Sequence, residues 1–258
     1  MSSRKRLLVT CFTIFIMIFI FQPNTIIQGQ TDQKLIYLTA FGDATPAGLG
    51  VKPSESYVHV YSKYVEEDLK VEVEVNNWAE DKKRNISEWV HLVTTNQEFR
   101  ADLENADIIT IWIGWHEIMP YLYKTDRVYK KELNMTTNRM GEQFDLFFDE
   151  ITRLTDSKNT LIMVAETGIP PAITKTWKEI GHFQKLKQYA YKDWRKQLIL
   201  AAEKHNVKVV PTYKTLNGKQ GNSNLPDIYF QEDKVHFSIK GHKLLADIHR
   251  NLGYDPIK

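Results

Sequence analysis

The sequence predicts an α/β domain of three layers, in which a five-stranded parallel sheet carries helices on both faces. Three observations predict it. Short apolar runs rich in β-branched or aromatic residues alternate with longer amphipathic ones. Their order is strand, helix, strand, helix, which implies right-handed crossovers and parallel pairing. The chain has 258 residues with 42% apolar and 12% aromatic content, enough for one well-packed domain and short for two.

The strands are expected at 35–41, ending at Gly42; at 71–75, ending at Asn76; at 108–113, ending at Gly114; at 160–165, ending at Glu166; and at 207–210, ending at Pro211. Helical periodicity covers 57–69, 87–96, 141–154, 183–205 and 238–252. There is no internal repeat and no low-complexity segment, so residues 31–258 read as a single domain.

The first thirty residues stand apart. Arg4, Lys5 and Arg6 precede an uncharged apolar run over residues 7–21, followed by Gln22, Pro23 and Asn24. The pattern is that of an export signal, with an uncleaved N-terminal anchor as the alternative. Fifteen helical residues span roughly 22 Å, short of the ~30 Å hydrocarbon core. The expected location is therefore secreted or in the cell envelope, with membrane contact only through this segment.

Loss of the segment removes three of the 34 basic residues and none of the 32 acidic ones, leaving a net charge of −1. No bulk attraction to nucleic acid follows from that balance. Cys11, the only cysteine, lies in the same segment, which excludes disulfides, thiolate metal sites and a cysteine nucleophile from the remainder. Chemistry must come from oxygen and nitrogen groups, and no cofactor is expected.

In an open parallel sheet, ligands lie in the loops beyond the carboxyl ends of the strands. The first such loop is Gly42-Asp43-Ala44-Thr45-Pro46-Ala47-Gly48-Leu49-Gly50. The third reads Gly114-Trp115-His116-Glu117, an imidazole and a carboxylate at the same edge. Before the last helix comes Asp233-Lys234-Val235-His236. An Asp three residues before a His in a tight loop can set its carboxylate against the ring, fixing the tautomer and favouring the imidazolium.

These three loops, with Asn77-Trp78-Ala79 leading into Ser87-Glu88-Trp89, resemble the four ordered blocks of the SGNH or GDSL hydrolases. The resemblance runs from about Lys34 to Gly253. It implies a flavodoxin-like three-layer fold and an extracytoplasmic esterase, lipase or carbohydrate deacetylase ancestry. In that family a first-block Ser is the nucleophile, a second-block Gly and a third-block Asn help form the oxyanion hole, and a last-block Asp and His activate the Ser. Here the Ser position is Ala44, the Gly falls within Asp81-Lys82-Lys83-Arg84, and the Asn position is His116. Asp233 and His236 keep the family pattern.

The departures differ in weight. Lys82 or Lys83 still has a backbone N–H to offer where Gly would, and His116 has a ring N–H where Asn has an amide. A methyl group cannot attack a carbonyl, and loss of a triad serine typically costs about 10⁶-fold. Thr45 is one residue further round the turn, with its backbone restricted by Pro46. Attack by water with His236 as general base is a second route. The expected function is thus an exported hydrolase-like protein, impaired in catalysis, that binds an acylated or carbohydrate ligand or a protein partner. The alternative is an ester hydrolase with a rearranged site.

Other groups carry weaker expectations. Asp43, His116, Glu117, Asp233 and His236 offer a divalent metal two imidazoles and a carboxylate if they converge, but no HExxH-like spacing supports that, and no metal site is expected. His116 and Glu117 equally fit a role in satisfying polar groups at a strand end. Lys82-Lys83-Arg84 fits either an anionic ligand or a solvated loop. Trp112 reads as core and Trp115 as a ligand contact, while Ile169-Pro170-Pro171 shapes the rim. His182, His205, His242 and His249 read as surface groups. Asn85-Ile86-Ser87 and Asn134-Met135-Thr136 fit the glycosylation sequon.

Overall fold

Five parallel strands form the sheet in the order β2-β1-β3-β4-β5. The computed structural model describes residues 34–122, 129–155 and 159–257. They belong to a compact unit, Gln33–Lys258. The expected signal or anchor at 1–30 lies outside the described residues.

Strand β1 is Leu35–Gly42 and leads through a four-residue helix α1, Ala44–Ala47, to α2, Tyr57–Leu69. Strand β2, Glu72–Asn77, is followed by α3, Ile86–Thr95, and α4, Gln97–Asn105. Strand β3, Ile108–Trp112, precedes α5, Trp115–Leu122, and the long α6, Lys130–Thr155. Strand β4, Leu161–Ala165, leads into α7, Pro171–Glu179, the short α8, Phe183–Leu186, a π-helical turn at Lys187–Lys192, and α9, Asp193–Lys204. Strand β5, Lys208–Val210, is followed by α10, Thr212–Asn217, and α11, Ile239–Arg250.

The register follows side-chain alternation. Leu38 pairs with Ile108 and Ala40 with Thr110 across β1 and β3. Successive residues of β3 serve opposite faces. Ile108 and Trp112 pack with Tyr57, Tyr61 and Val65 of α2 and Leu245 and Ala246 of α11. Ile109 and Ile111 pack with Trp89, Phe144, Phe147 and Phe148 from the helices on the other side. With both faces covered, β3 and β4 are buried throughout. Removing a large side chain from either core costs about 2–5 kcal/mol. Strand β2, at the sheet edge, alternates exposed Glu72 and Glu74 with half-buried Val73 and Val75, and charge on an edge discourages pairing with other chains.

Several sequence expectations are corrected. The helix expected over 141–154 begins at Lys130, and the one over 183–205 is interrupted by the π-helical turn. Helices α1, α4, α5, α7 and α10 lie outside the expected helical segments. Helix α4 buries only Phe99 and Leu103, too little for a clear period, and α5 carries Pro120 inside it.

His242 and His249 are buried core groups, 1% and 0% exposed, because α11 turns the stripe His242, Leu245, Ala246, His249 toward the sheet. His249 Nδ1 lies 2.7 Å from the Leu245 carbonyl, which can only accept, so Nδ1 carries the proton. Nε2 then accepts from the Thr110 hydroxyl at 3.2 Å. His242 Nδ1 accepts the Tyr57 amide at 3.2 Å, satisfying a donor at the start of α2. Burial pushes both rings down to about 4. His205 is half-buried and contacts Asp145 at 2.8 Å, and His182 is half-buried ahead of α8. Asn85 of the first sequon caps α3, its side chain accepting from the Glu88 amide at 3.0 Å, whereas Asn134 of the second lies within α6.

Candidate functional site

The site begins with a close backbone approach. A Cβ at Gly42 would stand 2.1 Å from the carbonyl oxygen of Trp112, and Gly42 has φ +145°. With no side chain there, β1 runs against the end of β3, and the Asp43 amide donates to that carbonyl at 3.2 Å. Asp43 then caps α1, its carboxylate accepting the Thr45 amide at 3.1 Å. Ala44 is the first residue of the helix. Gly48, with φ +75°, closes it in the left-handed region. The turn is built for an N-terminal residue presented at the sheet's carboxyl edge, and that residue is Ala44.

The second component is the loop before α11. Asp233 Oδ1 accepts the amides of Val235 at 2.9 Å and His236 at 3.0 Å, while Oδ2 lies 2.5 Å from His236 Nδ1. A carboxylate with these partners holds the proton on Nδ1 and leaves Nε2 available for acid-base work. Burial opposes ionisation of Asp233, but the two amides and the ring outweigh it and hold the carboxyl below its usual range. Lys234 adopts φ +56°, which closes the turn. Phe230 and Phe237 form an antiparallel bridge beneath it, and the Gln231 amide donates to the His236 carbonyl at 2.8 Å.

Gln231 ties the two components together. Its side-chain amide donates to the Leu49 carbonyl at 2.6 Å and to the Phe237 carbonyl at 2.9 Å. Gly50 makes room, because a Cβ there would meet the Gln231 amide at 2.3 Å.

The loops enclose a cavity of about 340 Å³ at the carboxyl ends of the strands, including the β1/β3 switch point where such sheets bind ligands. Of the residues singled out in the sequence, Asp43, Ala44, Thr45, Lys82, Lys83, Trp115, His116 and His236 line it. Asp233 acts from behind His236. Gly114 and Glu117 are not in the lining. Gly114, at φ +103°, packs against the Trp194 indole and the Phe144 ring. Glu117 turns its Oε1 to the Ile86 amide, satisfying the first turn of α3, and burial raises its pKa. Trp112, read as core, is buried and also forms part of the cavity wall. Ile169 and Pro170 line the wall as well, and the Lys234 carbonyl accepts from the Ala172 amide at 3.2 Å beside them. Asp81, Met119, Thr167, Gly168, Leu216, Phe230, Val235 and Phe237 complete the lining; Asp81 and Val235 lie in loops singled out in the sequence, and the others carry no sequence signal of their own.

The electrostatics are local. Burial pushes Asp43 up to about 7, against the Thr45 amide and the charge of His236, which lower it. His116 is shifted downward, first by burial and next by the charge of Lys83. Its Nδ1 has no partner among the described residues. Lys82 and Arg84 both reach Glu80, at 2.8 and 3.0 Å, whereas Lys83 makes no ion pair among the described residues. No cluster of three metal-ligating side chains occurs among the described residues.

Acid-base chemistry at His236 is thus available, but at Ala44 there is no atom to attack a substrate. Comparison with solved structures finds the same architecture. A lipase, Lip_vut3, from a goat rumen metagenome matches with a TM-score of 0.67 at 21% identity, covering 86% of this chain and 100% of its own. A lipase/acylhydrolase from Enterococcus faecalis matches with a TM-score of 0.57 at 16% identity, covering 85% and 95%. A psychrotrophic esterase, EstA, from Pseudoalteromonas sp. matches with a TM-score of 0.56 at 12% identity, covering 83% and 94%. A comparison with curated proteins finds no match. The family model for GDSL-like lipase/acylhydrolase matches residues 38–248, and the chain belongs to that family.

Proposed function

We propose that the protein is a ligand-binding member of this family, which holds an acylated small molecule in the cavity without serine-type hydrolysis. The observation that carries the reading is Ala44, which opens α1 on the wall of a cavity shared with His236. A methyl group at this position leaves only the ~10³ to 10⁴-fold that binding and oxyanion donors provide. An apolar wall that includes Ile169, Leu216 and Phe230 suits an acyl chain. The basic and apolar N-terminal stretch supports action outside the cytoplasm.

A second reading is residual hydrolysis by water, and it rests on one observation, the contact of Asp233 with His236 Nδ1 at 2.5 Å. One experiment divides the two. Purified protein is assayed on short-chain aryl esters and acetylated sugars beside a His236→Ala variant. The binding reading expects no turnover above the variant's. Turnover that disappears in His236→Ala overturns it in favour of water attack.

A further inference from the structure

The charge of the chain is unevenly spread. Residues 171–219, which run from the start of α7 to just past α10, carry eleven basic and three acidic side chains, a net charge of +8, while the remainder of residues 31–258 carries −9. Of those eleven cations, only Arg195, with Glu166, and Lys204, with Asp145, make ion pairs among the described residues. The other nine are all lysines.

Some of these lysines gather at one place. Lys187, on the π-helical turn, is 4% exposed, and its ammonium donates to the Gln220 carbonyl at 3.2 Å and to the Asn222 side-chain oxygen, both neutral acceptors. The ammonium groups of Lys178 and Lys187 each lie 5.3 Å from the centroid of the Phe183 ring. Lys219 directly precedes Gln220, and Lys175 stands one turn before Lys178 on the exposed side of α7. Lys178, Gly181, Phe183, Gln184 and Asn222 line a pocket of about 370 Å³ that shares no residue with the cavity. No carboxylate is in that lining, and Glu179, next to Lys178, makes no ion pair among the described residues. A buried ammonium without a counter-charge and like charges one turn apart both work against folding. Asn222 gives its side-chain oxygen to Lys187, which leaves its NH₂ group to donate. Exposed ammonium groups beside an aromatic floor and amide donors make a seat for an anionic oxygen group.

A single seat within so basic a segment suits a ligand whose charges repeat. Lys178 is eight residues along α7 from Pro170 at the cavity wall, roughly 12 Å at ~1.5 Å per residue. We propose that this face binds a linear polyanion, with phosphate or carboxylate groups repeated along its length, and that Lys178 and Lys219 pair with those groups. The face lies outside the cavity and stands whether or not the cavity holds an acyl group.

Polyphosphate and polygalacturonate, titrated into the full chain beside inorganic phosphate, test the proposal. At least one polymer is expected to bind at low salt, with log affinity falling linearly against log salt, and the one that binds identifies the anionic group. Lys178→Gln with Lys219→Gln should weaken that binding by about tenfold or more and reduce the salt slope by about two. Both side chains are exposed, so the variant is compatible with folding. Lys240→Gln with Lys243→Gln removes the same charge from the exposed side of α11 and should leave the slope unchanged. Equal losses in the two variants reduce the effect to bulk charge and overturn the site. Failure of both polymers to bind overturns it too. Inorganic phosphate that binds as tightly as polyphosphate leaves a simple anion pocket and overturns the polymer. Phosphatidylglycerol vesicles that bind more tightly than either polymer, and release in Lys178→Gln with Lys219→Gln, make the face a membrane contact and overturn the polymer as well.

Discussion

The loop after β1 and the loop before α11 both line the cavity, and they differ in what they retain. The second joins Asp233 to two amides and to the His236 ring. The first offers backbone geometry and no side chain of that kind at Ala44. Gly42 allows the close approach to Trp112, Asp43 caps α1, Gly48 ends it, and Ala44 occupies the position so presented. None of these contacts involves the hydroxyl that a serine would bring. Scaffold and nucleophile are therefore separable, because backbone hydrogen bonds and glycine sterics hold the turn whatever side chain follows Asp43.

The most direct way to break the contrast is to supply the missing atom. Ala44→Ser adds one oxygen at the start of α1 and should raise ester turnover by about 10² to 10⁴-fold, less than the full ~10⁶-fold worth of a triad serine, because the oxyanion positions also differ. The gain should vanish in Ala44→Ser with His236→Ala. If Ala44→Ser gains nothing, Asp233 and His236 are not in working register with the turn, and the contrast between a retained half and a vacated half fails.

The retained loop leads into α11, and that helix is itself pH-dependent. Both buried histidines have folded pKa values near 4, below the usual 6.5, so the unfolded chain binds more protons between those values. Their contribution to stability is complete above about pH 6.5 and is lost as the pH falls toward 4. Each ring accounts for at most about 3 kcal/mol. Urea unfolding at pH 7.5 and 4.5 should show that loss, and His249→Phe should reduce it, offset at neutral pH by the Thr110 hydroxyl it leaves without its ring acceptor.

Asp43 has the opposite sign. Its folded pKa, raised to about 7, means that the folded state binds more protons between about pH 4 and 7, so stability falls as the pH rises through that range. Asp43→Asn keeps a capping acceptor and removes the charge. The variant should be more stable than wild type at pH 8 by on the order of 2 kcal/mol, and level with it near pH 4, by chemical denaturation. A carboxylate that gained stability on ionising would invert that order and place Asp43 in contact with solvent or a cation.

Much of this was legible in the sequence, and the gaps have physical causes. Each strand was located to within two residues at either end, since runs such as Ile108–Trp112 are continuous, β-branched and closed by glycine or charge. The turn at Gly42 and the Asp233–His236 loop were legible because chemistry and spacing coincide there. His242 and His249 were misread although the spacing 242, 245, 246, 249 is that of a buried helical stripe, because a histidine's polarity masks its place in an apolar pattern. Glu117 looked like a site group, yet its carboxylate answers the unsatisfied amide of a neighbouring helix start, a need that belongs to tertiary structure. Thr167, Leu216 and Phe230 reach the cavity only through the fold.

The smallest expected effect tests the link between the two loops. Gln231 donates to Leu49 and Phe237, and Gln231→Ala removes both bonds at a net cost of about 1–2 kcal/mol. For a chain of this size that lowers the midpoint of thermal unfolding by about 2–8 °C. If Gln231 serves only stability, Ala44→Ser with Gln231→Ala should turn over esters at the rate of Ala44→Ser once both are fully folded at 25 °C. If it holds the first loop in register with His236, kcat should fall further while the folded fraction is unchanged, since a misplacement of about 1 Å costs on the order of 10²-fold. The second outcome is expected, because Gly50 leaves space for the Gln231 amide and for no side chain of its own.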